Sequence, residues 1–83
     1  MDKKDFKKLS QVQKLLLIME SGRLVLEKKE PNRVLKLYVY NLFYVEIIYN
    51  IEKNKVVKIS LPEMNYIVDE YLDVLNVDDI LDL

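Results

Sequence analysis

The sequence predicts an α+β fold, a four-stranded antiparallel meander with N- and C-terminal helices packed on one face. Three observations predict it. Residues 34–51, VLKLYVYNLFYVEIIYNI, form the longest β-forming run in the chain. Residues 2–21 carry apolar side chains at helical spacing. Pro62 then closes the β-rich centre ahead of a second helical pattern.

The first helix is expected over residues 2–21. Phe6, Leu9, Val12, Leu15, Leu16 and Met19 fall on one side, and Lys3, Lys4, Lys7 and Lys14 on the other. Leu17 and Ile18 broaden the apolar band, so that end should be buried deepest. Asp2 is placed to cap the start. Ser10-Gln11-Val12-Gln13 also matches a capping box, which allows a later helix start. Gly22 suits the left-handed position just past the helix end.

Residues 23–29 read as the first strand, and Pro31-Asn32 as a tight turn in which proline supplies the fixed φ. A two-residue loop there pairs Leu26 with Leu37 and Leu24 with Val39 on a core face. It pairs Glu27 with Lys36 and Val25 with Tyr38 on the other.

At period two, the odd positions of residues 34–51 are apolar or aromatic except Asn41, and the even positions mix charge, phenols and aliphatics. A strand of that length is long against the usual five or six residues or so, so a fold-back is expected. A three-residue loop Tyr40-Asn41-Leu42 pairs Val39 with Phe43, Leu37 with Val45 and Leu35 with Ile47 on the core face. Tyr38 then meets Tyr44, and Lys36 meets Glu46, on the other. A two-residue turn at Asn41-Leu42 would set Leu37 against Glu46 and mix the faces, which argues against it. One long bent strand is the alternative.

A three-residue loop Glu52-Lys53-Asn54, with Asn54 near the left-handed region, leads into a fourth strand over residues 55–61 and pairs Tyr49 with Val57 and Ile47 with Ile59. The predicted strand order is 1-2-3-4. Residues 63–75 form the last helix, with Met64, Ile67, Val68, Tyr71 and Leu75 on its inner face. Asn76 is expected to break it, and Asp78 to cap a last turn through Ile80-Leu81.

The 83 residues are read as a single domain, 1–83. Apolar content of 51% suits a folded globule rather than a disordered chain, and the net charge of −1 supplies no field favouring nucleic acid or an anionic membrane. No apolar run is long enough to span a bilayer, and MDKKDFKK precedes no signal core, so a cytoplasmic protein is expected.

The order α-β-β-β-β-α, with Phe43-Tyr44-Val45-Glu46-Ile47-Ile48-Tyr49, Asn54, Val57-Lys58-Ile59 and Tyr71-Leu72-Asp73, resembles a group of small uncharacterised bacterial proteins. The resemblance covers roughly the last half of the chain and implies no activity.

The chain has neither His nor Cys. Triads of the Ser-His or Cys-His kind, and zinc sites built from Cys and His, are therefore excluded. One glycine cannot build a phosphate-cradling loop. Carboxylates remain: Asp69 with Asp73, and Asp78, Asp79 and Asp82. Their spacing matches no calcium loop and reads as a solvated acidic helix face. No enzyme activity, cofactor or metal is expected.

The second sheet face carries the candidate binding residues Val25, Lys36, Tyr38, Tyr44, Glu46 and Ile48. With both helices on the core face, this phenol-rich surface stays open to a protein partner or to a second copy in a homodimer. Lys36 between Glu27 and Glu46 would set register. Two other readings compete. One helix could cross over and bury this face internally, or Tyr38 and Tyr44 could stack the bases of single-stranded nucleic acid. Glu27 and Glu46 on the same face argue against the latter.

Overall fold

The computed structural model describes residues 1–75. The elements are α1 (Lys3–Lys7), α2 (Gln11–Ser21), β1 (Arg23–Lys29), β2 (Arg33–Tyr40), β3 (Phe43–Asn50), β4 (Lys55–Ser60) and α3 (Met64–Glu70). The four strands form one antiparallel sheet in the order β1-β2-β3-β4, the meander read from the sequence, with helices before and after it.

The helices do not share a face. β2 and β3 are joined by a two-residue turn, with Tyr40 opposite Phe43, Tyr38 opposite Val45 and Leu37 opposite Glu46. Both turn residues, Asn41 and Leu42, have positive φ, 48° and 71°. That backbone matches the right-handed twist of the flanking strands, as hairpin turns of this length require. The expected three-residue loop is thereby corrected, and β3 is inverted relative to the predicted pairing because side chains alternate at period two.

One face now carries Tyr38, Tyr40, Phe43, Val45 and Ile47. They pack with Phe6 of α1 and Ile18 of α2. The opposite face carries Leu35, Leu37 and Ile48, which pack with Ile67 of α3 and with Tyr71 just beyond it. The fold is a sheet between two helical layers. The expectation that both helices lie on one face is corrected: α3 covers a face that joins Leu35 and Leu37, expected in the core, to Tyr44, Glu46 and Ile48, expected to be open.

The N-terminal region is two helices rather than one. Asp2 caps α1, its side chain accepting from the Asp5 N–H at 2.9 Å. The chain then restarts at Ser10, whose Oγ accepts from the Gln13 N–H at 3.2 Å while Gln13 Oε1 accepts from the Ser10 N–H at 3.0 Å. This reciprocal pair satisfies two N-terminal donors and resets the helical phase. Phe6, Tyr40 and Phe43 then form a cluster with centroids 5.6 to 5.9 Å apart, spacings at which tilted and edge-on rings attract. The Gln11 amide donates to the Val56 carbonyl at 3.2 Å and ties the start of α2 to β4.

The edges carry two bulges. The β1–β2 register matches prediction from Leu26–Leu37 toward the turn, then shifts at Val25 so that Leu24 sits opposite Tyr38. The β3–β4 register matches at Ile47–Ile59 and shifts at Val57, leaving Tyr49 opposite Val56. Asn54 has φ 53°, the left-handed conformation expected of it. Gly22 does not: its φ is −79°.

α3 is shorter than the predicted helix, and Glu63 before it makes no side-chain cap. It is fastened at its far end instead. Lys28 donates to the Glu70 carbonyl at 2.8 Å and lies 3.4 Å from Asp73, and Arg33 pairs with both Glu30 and Glu70. The expected break at Asn76 and last turn at Asp78 lie outside the described residues.

Candidate functional site

The inverted β3 brings Glu46 onto the α3 face, where it is 1% exposed. A buried carboxylate needs donors to replace water. Tyr71 donates to Oε2 at 2.8 Å. Tyr66 lies 2.9 and 3.0 Å from the two oxygens, and Ser60 Oγ is 3.5 Å from Oε1. No ammonium or guanidinium among the described residues comes within 4.0 Å of it.

The phenols are held as donors. Burial first, then the hydrogen bond to Glu46 and its charge, push Tyr66 up to about 12 from 10.0 and raise Tyr71 in the same way. Neither phenol is activated as a nucleophile, since activation requires the opposite shift. Glu46 and Tyr66 both line a hollow of about 310 Å³, together with Lys58, Ser60 and Asn65. The arrangement fastens α3 to the sheet.

The six candidate residues are not brought together. Tyr38 is 8% exposed and belongs to the core beneath α1 and α2. Tyr44 packs against the other core, under α3, with Glu46 and Ile48 on the same side. The Tyr38–Tyr44 pair therefore does not exist, and neither does the Lys36–Glu46 pair. Lys36 lies opposite Ile47 and keeps only Glu27, at 3.9 Å. Val25 sits alone in the β1 bulge. The single open phenolic face is corrected, and with it the platform for stacking bases. Among the described residues no group of three or more acidic side chains is placed to hold a metal. Asp73 is paired with Lys28, and Asp78, Asp79 and Asp82 lie outside the described residues.

The open apolar surface is elsewhere. On α2, Val12, Leu16 and Met19 are 65%, 62% and 63% exposed. Their spacing of four and then three residues places them in one stripe. Beside the stripe, between Leu15 and Met19 of α2 and Val34, Lys36, Tyr49 and Val56 of the sheet, lies an apolar hollow of about 360 Å³ floored by Tyr38 and Ile47. The two are continuous through Met19. The sequence pattern placed Val12, Leu16 and Met19 inward, because it ran one helical phase through residues 2–21. The capping box at Ser10 was the signal that the phase restarts.

No protein-family model, curated protein or solved structure matches this chain. The resemblance to small bacterial α-β-β-β-β-α proteins thus rests on its motifs alone.

Proposed function

We propose that this chain is a non-enzymatic protein-interaction module, acting in the bacterial cytoplasm, whose contact surface is the outward stripe of α2 and the hollow beside it. The observation that carries the reading is the stripe itself: three large apolar side chains, each more than 60% exposed, aligned on one helix. Isolated exposed aliphatics are ordinary on any surface. An aligned row that opens into an apolar hollow is the kind of patch that partners cover.

Met64, Val68 and Leu72 at α3 are exposed as well. The apolar hollow lies beside α2, so α2 is the better-defined surface. A non-enzymatic role is supported by the absence of His and Cys from the sequence and by the occupied oxygens of Glu46. The absence of cysteine also suits a reducing compartment.

The test is paired affinity capture from the native cell with wild-type and Leu16→Glu baits, the fold of each checked by circular dichroism. The reading expects a specific protein, another chain or this one, retained by wild type and lost with Leu16→Glu. Identical retention by both baits would contradict it.

A further inference from the structure

We infer that the occupant of this surface is a second copy of this chain, with α2 docked antiparallel against α2 about a twofold axis. The inference rests on the interaction-module reading and narrows its partner.

A twofold contact requires a patch that is complementary to itself. The α2 stripe meets that condition. In the antiparallel arrangement Val12 of one copy lies against Met19 of the other, and the two Leu16 side chains meet near the axis. Within α2, Glu20 is the ionised side chain beside the stripe; Lys14 turns toward α1, its Nζ 5.9 Å from the Phe6 ring centroid. Glu20 stands in the last turn of its own helix, where the dipole disfavours an acid. Antiparallel docking carries it to the first turn of the other α2, which Lys8 precedes, so dipole and charge both become favourable. Parallel docking would set Glu20 against Glu20.

The hollow favours the same occupant. An apolar cavity of about 150 Å³ already holds a benzene molecule, and this hollow of about 360 Å³ opens along the stripe. An incoming antiparallel α2 brings its own Val12 to that mouth, against Met19. The sheet edges offer no competing route. β1 carries Arg23, Glu27 and Lys29 and β4 carries Lys55 and Lys58, and charged side chains along an edge oppose edge-to-edge pairing. With 11 residues a helix is about 16 Å long. The contact is at the small end of stable interfaces, so the dimer is concentration-dependent.

The experiment is light scattering on the full chain from micromolar to millimolar concentration, with Leu16→Glu and Leu16→Gln as variants whose fold is checked by circular dichroism. The expected result is a mass rising from 9.9 kDa toward twice that value, with association of both variants weakened so that they dimerise only at about tenfold higher concentration or more. Because the chain has no cysteine, Leu16→Cys adds a geometric readout. Mild oxidation should give a disulfide-linked dimer, whereas Leu42→Cys, fully exposed at a distant turn, should not. A wild-type mass of 9.9 kDa throughout, or dimers of undiminished strength in both Leu16 variants, would overturn the inference. A monomeric wild type that still captures another protein through Leu16 would overturn the dimer and leave the interaction-module reading standing. Loss of both would remove the reading too.

Discussion

The Tyr71 phenol donates to Glu46 Oε2 at 2.8 Å inside the core under α3. Tyr71 is fully buried and Glu46 is 1% exposed, so each supplies what the other lost on leaving water. A buried phenol seeks an acceptor and a buried carboxylate seeks donors. Their bond, with that of Tyr66, fastens a seven-residue helix that lacks a side-chain cap.

Tyr71→Phe keeps the ring in the core but leaves Oε2 short of a donor. It should lower the unfolding free energy by about 1–3 kcal/mol. Tyr66→Phe removes a more exposed donor and should cost less than Tyr71→Phe. Urea denaturation of the three proteins checks both the direction and the order. Equal stability for Tyr71→Phe and wild type would remove Glu46 as the fastening point.

Alkaline stability follows from the same cluster. The Tyr66 phenol ionises near 10.0 in the unfolded chain and near 12 in the folded one, and Tyr71 is raised in the same direction. The folded state retains protons that the unfolded chain releases. The contribution is therefore complete below pH 10 and is lost as pH rises through 12. Phenolate absorbance followed alongside circular dichroism should show a late class of tyrosines that ionises as the fold is lost. Glu46→Gln removes the charge that helps hold Tyr66 protonated and should bring that phase to lower pH. A complete phenolate signal near pH 10, with the fold intact, would contradict this.

At the β2–β3 turn, Leu42 has φ 71° and is fully exposed. It contributes no packing while occupying backbone space that disfavours a branched side chain. Leu42→Gly should raise stability by roughly 1 kcal/mol, the cost of placing an ordinary residue in the left-handed region. Thermal denaturation reads the change as a higher midpoint, and a lower midpoint would contradict the turn.

Gly22 is required by proximity rather than by φ. Its N–H donates to the Ile18 carbonyl at 2.8 Å, and an added Cβ would stand 2.7 Å from that oxygen and 3.0 Å from Ile18 Cγ2. Ile18 is buried in the core under α2 and cannot withdraw freely. Gly22→Ala should therefore destabilise by about 1–3 kcal/mol, in the range of overpacked sites. Chemical denaturation that shows no loss would indicate that the end of α2 can shift to make room.

Strand order, the Pro31-Asn32 turn, the capping box at Ser10 and the left-handed Asn54 were legible in the sequence, because each is specified by local chemistry. The sidedness of β3 was not. Alternation disfavoured a turn that sets Leu37 beside Glu46, yet that is the pairing formed. It is stable because Tyr66 and Tyr71, some twenty and twenty-five residues away, supply donors to Glu46. A carboxylate at an apparently apolar position was the available sign of a long-range polar cluster. Once β3 is inverted, Tyr38 and Tyr44 part company. The candidate surface moves to α2, whose outward stripe was hidden by treating residues 2–21 as a single rod.

Thiol reactivity in the cysteine-free chain tests whether helices cover both faces of the sheet. Val45 faces α1 and α2 and Ile48 faces α3, and they are 0% and 6% exposed. In Val45→Cys and Ile48→Cys, both thiols should react slowly with a soluble maleimide under native conditions and quickly in urea. A fast native reaction at either position, with the chain still folded, would show that one sheet face is open and would contradict the two-sided fold.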